Sequence, residues 1–347
     1  MARARRGTKT INLALQGGGA HGAFTWGVLD RLLEEERLEI EGISGTSAGA
    51  MNAAMLKTGL LDSGRDGART QLDRFWGSIR ETAAASVNPL ADWLKMFSGE
   101  AGMLADAVQS QRHFLQDTLL RTFSPYEWNP FDINPLRDLL EELIDFDAVC
   151  THCAPHLFVC ATNVRSGKIR IFDDAAMSID AILASACLPF LFRAVEIDGE
   201  AYWDGGYMGN PALFPLFTGT GARDIVIVVV NPIVRAELPT TARDILNRVN
   251  EISFNSSLLR ELRAINFVQR LLADGHLRPG KMKKMLIHTV RDDATMTELS
   301  AATKLNPTPE LLDHLKARGR DAADAFLRDH WGKLGKESSV DLQAMFG

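Results

Sequence analysis

Ser47 lies in Gly45-Thr46-Ser47-Ala48-Gly49, where a short apolar run gives way to a helix-like one. A serine between small residues at a strand-to-helix turn is the nucleophile-elbow pattern, because the chain can turn sharply enough to hold the hydroxyl clear of the sheet edge. The helix that follows places the positive end of its dipole where negative charge develops during acyl transfer. The competing reading is a plain helix cap. An earlier turn, Gln16-Gly17-Gly18-Gly19-Ala20-His21-Gly22, has the same strand-to-helix setting. With Gly22 it matches a dinucleotide fingerprint, but that requires an acidic residue at the end of the second strand, where this chain has the serine turn instead; Glu39 and Glu41 stand at the start of that strand. The alternative is an oxyanion hole, formed by successive backbone N–H groups of Gly17, Gly18 and Gly19 at the head of a helix. A tight turn with close helix packing is the third reading.

A serine nucleophile needs a base. None of His113, His152, His156, His276, His288, His314 and His330 has a diagnostic setting, and His21 lies within the glycine turn. Asp204, in Tyr202-Trp203-Asp204-Gly205-Gly206, is the more distinctive group, since the two glycines let the backbone bring its carboxylate close to another residue. A second tight turn is the bland alternative there. Cys150-Thr151-His152-Cys153-Ala154-Pro155-His156 has metal-ligand types at short spacing, but structural zinc needs a second ligand pair, and none is convincing. No metal and no cofactor are expected.

The elements that must carry these turns follow from periodicity. Ile11 to Gln16 and Ile40 to Ser44 read as buried strands, each leading through its glycine turn into a helix, Ala20 to Glu36 and Ala48 to Leu56. Further strands are expected at His156 to Thr162, Lys168 to Phe172, Ala194 to Ile197 before an Asp198-Gly199 hairpin turn, Asp224 to Val230 and Met285 to Val290, with a helix at Ser178 to Cys187. Strands alternating with helices argue for a three-layer α/β/α domain. Residues 59–148 show no strand pattern and concentrate aromatics, including Trp76, Trp93, Phe97 and Trp128, which predicts a helical insertion serving as a lid or acyl-chain wall. The stretch 240–272 predicts an amphipathic helix packed on the sheet through Ile245, Val249, Ile252, Leu259, Leu262, Ile265 and Leu272, and Glu310 to Trp331 a C-terminal helix before a loose end.

Composition narrows the class. The chain of 347 residues, 46% hydrophobic, can bury one large core with an appendage. A net charge of -6 gives no reason to expect nucleic acid as a partner. The aliphatic run Ile225 to Val230 is far short of the ~18 residues of a spanning helix, the apolar stretch Ile11 to Leu15 is too short for a signal peptide, and Cys150, Cys153, Cys160 and Cys187 are too few for a disulfide scaffold. The expectation is a cytoplasmic protein, at most peripheral to a membrane.

The blocks Gln16 to Gly22, Gly45 to Gly49 and Asp204-Gly205-Gly206, in this order and spacing, resemble the signature blocks of the patatin-like phospholipase family, and Ala184-Ser185-Ala186-Cys187-Leu188-Pro189 is similar to the segment preceding the family's aspartate. The resemblance spans roughly Thr8 to Pro232. It implies a patatin-like sheet domain over 8–295, with the insertion at 59–148 and a helical C-terminal tail over 296–347. It also implies a Ser-Asp dyad without histidine: Ser47 attacks the ester, Asp204 takes its proton, the Gly17 to Gly19 amides hold the oxyanion, and water releases the fatty acid. The substrate implied is a glycerophospholipid or other acyl ester. An esterase or thioesterase for soluble acyl substrates, and a lipid-binding regulator without turnover, are the alternatives. Without histidine in the dyad, the rate is expected to lack a limb near ~6.5. His21 stands where the family more often has arginine or lysine, which could alter head-group or lipid preference.

Overall fold

The computed structural model describes residues 7–85, 124–129, 132–151, 154–277 and 282–346. Trp93, Phe97, His113, His152 and Cys153, and with them most of the aromatic insertion, lie outside the described residues. The elements in chain order are β1 (Lys9–Leu15), α1 (Gly22–Leu33), β2 (Leu38–Gly45), α2 (Ala48–Ala85, broken at Ser63 and Gly64), α3 (Pro125–Trp128), α4 (Pro135–Leu143), α5 (Phe146–Thr151), β3 (His156–Asn163), β4 (Ile169–Phe172), α6 (Ile179–Ser185), β5 (Val195–Ile197), β6 (Glu200–Asp204), α7 (Phe214–Gly219), β7 (Asp224–Val229), α8 (Ala242–Ala273), β8 (Leu286–Arg291), α9 (Asp293–Glu298), α10 (Pro309–His330) and α11 (Leu342–Phe346). Short 3-10 turns occupy Gly19–His21, Asp174–Ala176, Gly205–Tyr207 and Ala301–Leu305.

The strands form one mixed sheet in the order β5-β6-β3-β2-β1-β7-β8, with β4 also on β3. Strands β3, β2, β1, β7 and β8 are parallel, and helices cover both faces, which is why β1 and β7 read as nearly unbroken apolar runs. Val226 and Val228 turn toward the core shared with α1, α2 and α10, while Ile225, Ile227 and Val229 turn toward the one shared with α7, α8 and α11. The expected three-layer α/β/α architecture is therefore present.

Register explains how the site forms. Strand β3 carries β4 along one edge. Its other edge is shared: Gly42–Gly45 of β2 lie opposite His156–Val159, and beyond them Tyr202–Asp204 of antiparallel β6 lie opposite Asn163–Ala161. Strands β2 and β6 thus run toward each other along β3, and Asp204 arrives just past the end of the strand that delivers Ser47. The hairpin leading into β6 turns at Asp198 and Gly199, both with positive φ (52° and 77°), the backbone that an Asp-Gly pair tolerates.

Three expectations are corrected. Within the insertion, Phe75 and Trp76 are core residues: Trp76 stacks on Trp26 at 6.1 Å and its Nε1 donates to Asn52 Oδ1 at 3.0 Å. The long helix α8 is present, but only its later part packs in the core, through the expected Leu262 and Ile265 and through Leu258 rather than Leu259. Ile245, Val249 and Ile252 are 47%, 56% and 54% exposed, because the inward positions of the first half belong to Glu251 and Asn255. Finally, the end of the chain is anchored, with Ser339 and Val340 N–H donating to Ile287 O and Leu342 buried.

Candidate active site

Ser47 has a φ of +54°, left-handed backbone that a side chain tolerates only where the surroundings impose it. They do so here. A Cβ on Gly45 would lie 2.6 Å from Gly49 O, and one on Gly49 would collide with Leu15 O, so both flanking positions exclude any side chain. The Ser47 N–H donates to Ser185 Oγ at 2.9 Å, and Ser47 O accepts from Ala50 and Met51, starting α2. The glycine turn lies directly alongside: a Cβ on Gly17 would lie 2.8 Å from Ser47 Cβ.

Asp204 completes the group. Its side chain is buried and accepts the Gly206 N–H at 2.7 Å, and the Ser47 hydroxyl is among the groups that act on its carboxylate. Its backbone is pinned on both sides, with its N–H on Cys187 O at 2.8 Å and its carbonyl accepting from Thr162 Oγ1 at 2.9 Å. Burial pushes its carboxyl up to about 7, against the opposing pull of the Gly206 N–H and the Ser47 hydroxyl. An aspartate that titrates there is a far better base than one at its ordinary value. A carboxyl lifted to about 7 overlaps the histidine range, so a rate limb near ~6.5 would not by itself distinguish an aspartate base from a histidine one.

A buried amide network fixes the glycine turn. Gln16 Oε1 accepts from the Val230 and Asn231 N–H groups, each at 3.0 Å, and its Nε2 donates to Asn210 O and Asn255 Oδ1. Asn210 Oδ1 accepts the Gly17 N–H at 2.7 Å, and Asn231 Nδ2 donates to Gly17 O at 3.0 Å. The Gly17 amide is therefore engaged within the protein. Gly18 has no room for a side chain, which would meet Val230 Cγ2 at 2.9 Å, and Gly19 has a φ of +57° with the Lys304 carbonyl against it.

His21 is nearly fully buried. Its Nε2 lies 2.8 Å from Thr303 Oγ1, whose own proton goes to Ser300 O, so Nε2 carries the proton and donates. Burial first, and the charge of Lys304 second, push its pKa down to about 3, leaving it neutral. His156 and His288 are bonded to Asp174 and Asp224. Among the described residues, no histidine ring is hydrogen-bonded to Ser47 or Asp204. No described group of histidine, cysteine and carboxylate side chains has the arrangement of a metal site.

The chain's sequence matches a model for patatin-like phospholipase over residues 13–217. The chain belongs to the patatin-like phospholipase family. At the level of that family it is a lipid acyl hydrolase. Among solved structures, VipD from Legionella pneumophila is similar at 18% identity and a TM-score of 0.39, covering 94% of this chain and 68% of that one. The type III effector ExoU aligns at 16% identity and a TM-score of 0.34, covering 92% of this chain and 53% of its own. A third match, to the ExoU–SpcU heterodimer from the type III secretion system of Pseudomonas aeruginosa, has 19% identity and a TM-score of 0.32, with 93% and 61% coverage. The chain thus spans little more than half the length of the ExoU chains. No curated protein matches it.

The sequence reading missed several supports: Asn210, Asn231, Asn255, Phe254 and Lys304. They are ordinary residues far apart in the chain, and only the sheet gathers them around the Gln16 turn. Ser185 and Cys187, in the segment 184–189 that resembles the one preceding the family's aspartate, hold the Ser47 N–H and the Asp204 N–H.

Proposed function

We propose that this protein hydrolyses fatty acyl esters of glycerophospholipids through a Ser47–Asp204 dyad. The observation that carries the reading is the placement of Ser47, on a strained elbow, with the buried Asp204 carboxylate, which is lifted to about 7 and on which the Ser47 hydroxyl acts. Ser47 Oγ attacks the ester carbonyl carbon as Asp204 takes its proton, and the carbonyl electron pair moves to oxygen. With the Gly17 N–H engaged by Asn210, the Gly18 and Gly19 N–H groups hold that oxyanion. Collapse breaks the bond to the lysophospholipid oxygen, which leaves with the proton from Asp204, and the acyl group stays on Ser47. Water then attacks the acyl-enzyme, giving its proton to Asp204; the fatty acid departs, and Ser47 regains its hydrogen.

Lipid rather than a soluble acyl ester is favoured by the apolar rim. Phe190, two residues after the Leu188 of the segment that pins Asp204, is 59% exposed, and Tyr207 and Met208, just past Gly206, are each 38% exposed. Large apolar side chains held out beside a hydrolytic dyad suit an acyl chain or a lipid surface, so we propose peripheral contact there. No described helix is long and apolar enough to cross a membrane.

The test is hydrolysis of defined phospholipids, lysophospholipids and short-chain esters by the wild type, Ser47→Ala and Asp204→Asn, with phosphonate labelling of Ser47. Both variants should lose turnover by roughly 10⁴- to 10⁶-fold in kcat, by comparison with nucleophile and base losses in serine proteases. Turnover near wild type in either variant sinks the dyad. A wild type that takes the label but hydrolyses only short esters replaces phospholipase with esterase, and one that does neither is a binding protein.

A further inference from the structure

We propose that Lys304, contributed by the segment between β8 and α10, is a positioning residue for the oxyanion-holding turn: through Asn231 it orients and polarises the peptide that joins Gly17 to Gly18. The inference rests on the hydrolase reading above and adds to it a residue far outside the matched family region. Lys304 Nζ donates to Asn231 Oδ1 at 2.5 Å, and Asn231 Nδ2 donates to Gly17 O at 3.0 Å. Gly17 C=O and Gly18 N–H belong to one planar trans peptide and point in opposite directions. Holding the carbonyl toward Asn231 therefore aims the Gly18 N–H away from it, to the side where an oxyanion would lie. Each hydrogen bond in such a chain strengthens the next, so a cation at one end makes the amide proton at the other a better donor. The sequence runs from ammonium to Asn231 amide, to the Gly17–Gly18 peptide, to the oxyanion.

The surroundings fit a fixed charge. The Lys304 carbonyl packs against Gly19, its ammonium lies 5.7 Å from the Phe254 ring centroid, and Phe254 in turn covers Gly206 beside Asp204. The groups facing the ammonium are Asn231 after β7, neutral His21 from the glycine turn, and Phe254 and Glu251 from α8. The Glu251 carboxylate is itself taken up by Arg235 at 2.5 Å and Arg248 at 3.1 Å, so it does not neutralise Lys304 by direct contact. Burial pushes Lys304 down to about 8, with Glu251 opposing the shift. The charge is present below that pH and lost above it.

The experiment measures kcat and KM on a short soluble ester from about pH 6 to 10 for the wild type, Lys304→Met, Lys304→Arg, Asn231→Leu and the Lys304→Met/Asn231→Leu double variant, alongside Ser47→Ala and Asp204→Asn. The wild type should lose kcat on an alkaline limb near 8. Lys304→Met should lower kcat on the order of tenfold, less than the roughly 10²- to 10³-fold lost with an oxyanion donor itself, with KM within about twofold and the alkaline limb gone. Lys304→Arg should keep most of kcat and carry the limb beyond the range, because guanidinium stays charged. In the Asn231→Leu background, Lys304→Met should add little further loss, since the two act as one chain. An alkaline limb that persists unchanged in Lys304→Arg overturns the proposal even if Lys304→Met fails to fold. Unchanged kcat in folded Lys304→Met, or a loss that simply multiplies with that of Asn231→Leu, also overturns it. If those results come while Ser47→Ala and Asp204→Asn are dead, only this inference falls; turnover in those two variants removes the dyad instead.

Discussion

In the proposed dyad Asp204 must be ionised to accept the Ser47 proton, and its burial makes ionisation unfavourable. The acidic limb of kcat/KM should therefore fall near 7 rather than near 4, with activity present above it and lost as pH drops through it. The same shift has a cost for folding. The folded pKa stands above the ordinary value of 3.8, so the folded state binds the extra proton between 3.8 and about 7, and stability declines as pH rises through that window. Asp204→Asn keeps the shape without the charge. It should be inactive at every pH, equal to the wild type in stability near pH 4, and more stable at pH 8 by roughly 1–3 kcal/mol. Thermal unfolding at both pH values checks this, and a variant less stable at pH 8 than at pH 4 relative to wild type would contradict the burial argument.

At the scale of elements, the glycine turn lies against a segment that leads into α10, and α10 approaches α1 closely. A Cβ on Gly27 of α1 would run into the Lys316 carbonyl of α10, and one on Gly319 of α10 into the Phe24 carbonyl of α1. The two helices meet backbone to backbone, and Leu312, Leu315, Ala323 and Phe326 of α10 fill the core around that contact. The segment 301–305, which lies against the glycine turn, leads directly into this helix. Gly319→Val should therefore push α10 away and cost about 2–4 kcal/mol of stability. Hydrolysis should fall as well, at temperatures where the protein is still folded, because Lys304 and Thr303 move with the helix. Equal kcat in a folded, destabilised variant would show that the turn holds its shape without α10.

For the whole molecule, the question is what surface it presents to its substrate. Phe190 follows Cys187, whose carbonyl accepts the Asp204 N–H, and Tyr207 and Met208 follow Gly206, so exposed apolar side chains come from both segments that meet at Asp204. Replacing all of them with serine should weaken hydrolysis of phospholipid vesicles by roughly tenfold or more while changing a short soluble ester less than about threefold, since only the vesicle needs an apolar landing surface. Parallel assays on the two substrates decide it; an equal loss on both would make these residues part of the catalytic pocket. The exposed stripe Ile245, Val249 and Ile252 lies on α8, where Glu251 and Asn255 take the inward positions, and Phe254 of the same helix packs on the Tyr207 ring at 5.8 Å.

The sequence by itself determined the turns. Gly19, Ser47 and the Asp198-Gly199 hairpin are legible because they take positive φ, Gly17, Gly18, Gly45 and Gly49 because close neighbours leave no room for a side chain, and Asp204 because two glycines follow it; apolar runs of strand length lead into these turns. The parallel sheet followed from the same alternation. Tertiary structure alone decided the rest. Asp204 meets Ser47 because β2 and β6 share one edge of β3, a matter of register that no local pattern encodes. Its raised pKa comes from burial by residues distant in sequence. The stripe on α8 misled because hydrophobic periodicity reports that a helix has an apolar face without saying whether that face or the charged one turns inward, and here ion pairs from Glu251 to Arg235 and Arg248 hold the charged one in place. Lys304 was silent for a related reason: a lone lysine in a polar stretch reads as solvated surface until packing half-buries it and brings its ammonium onto Asn231, a residue distant in sequence.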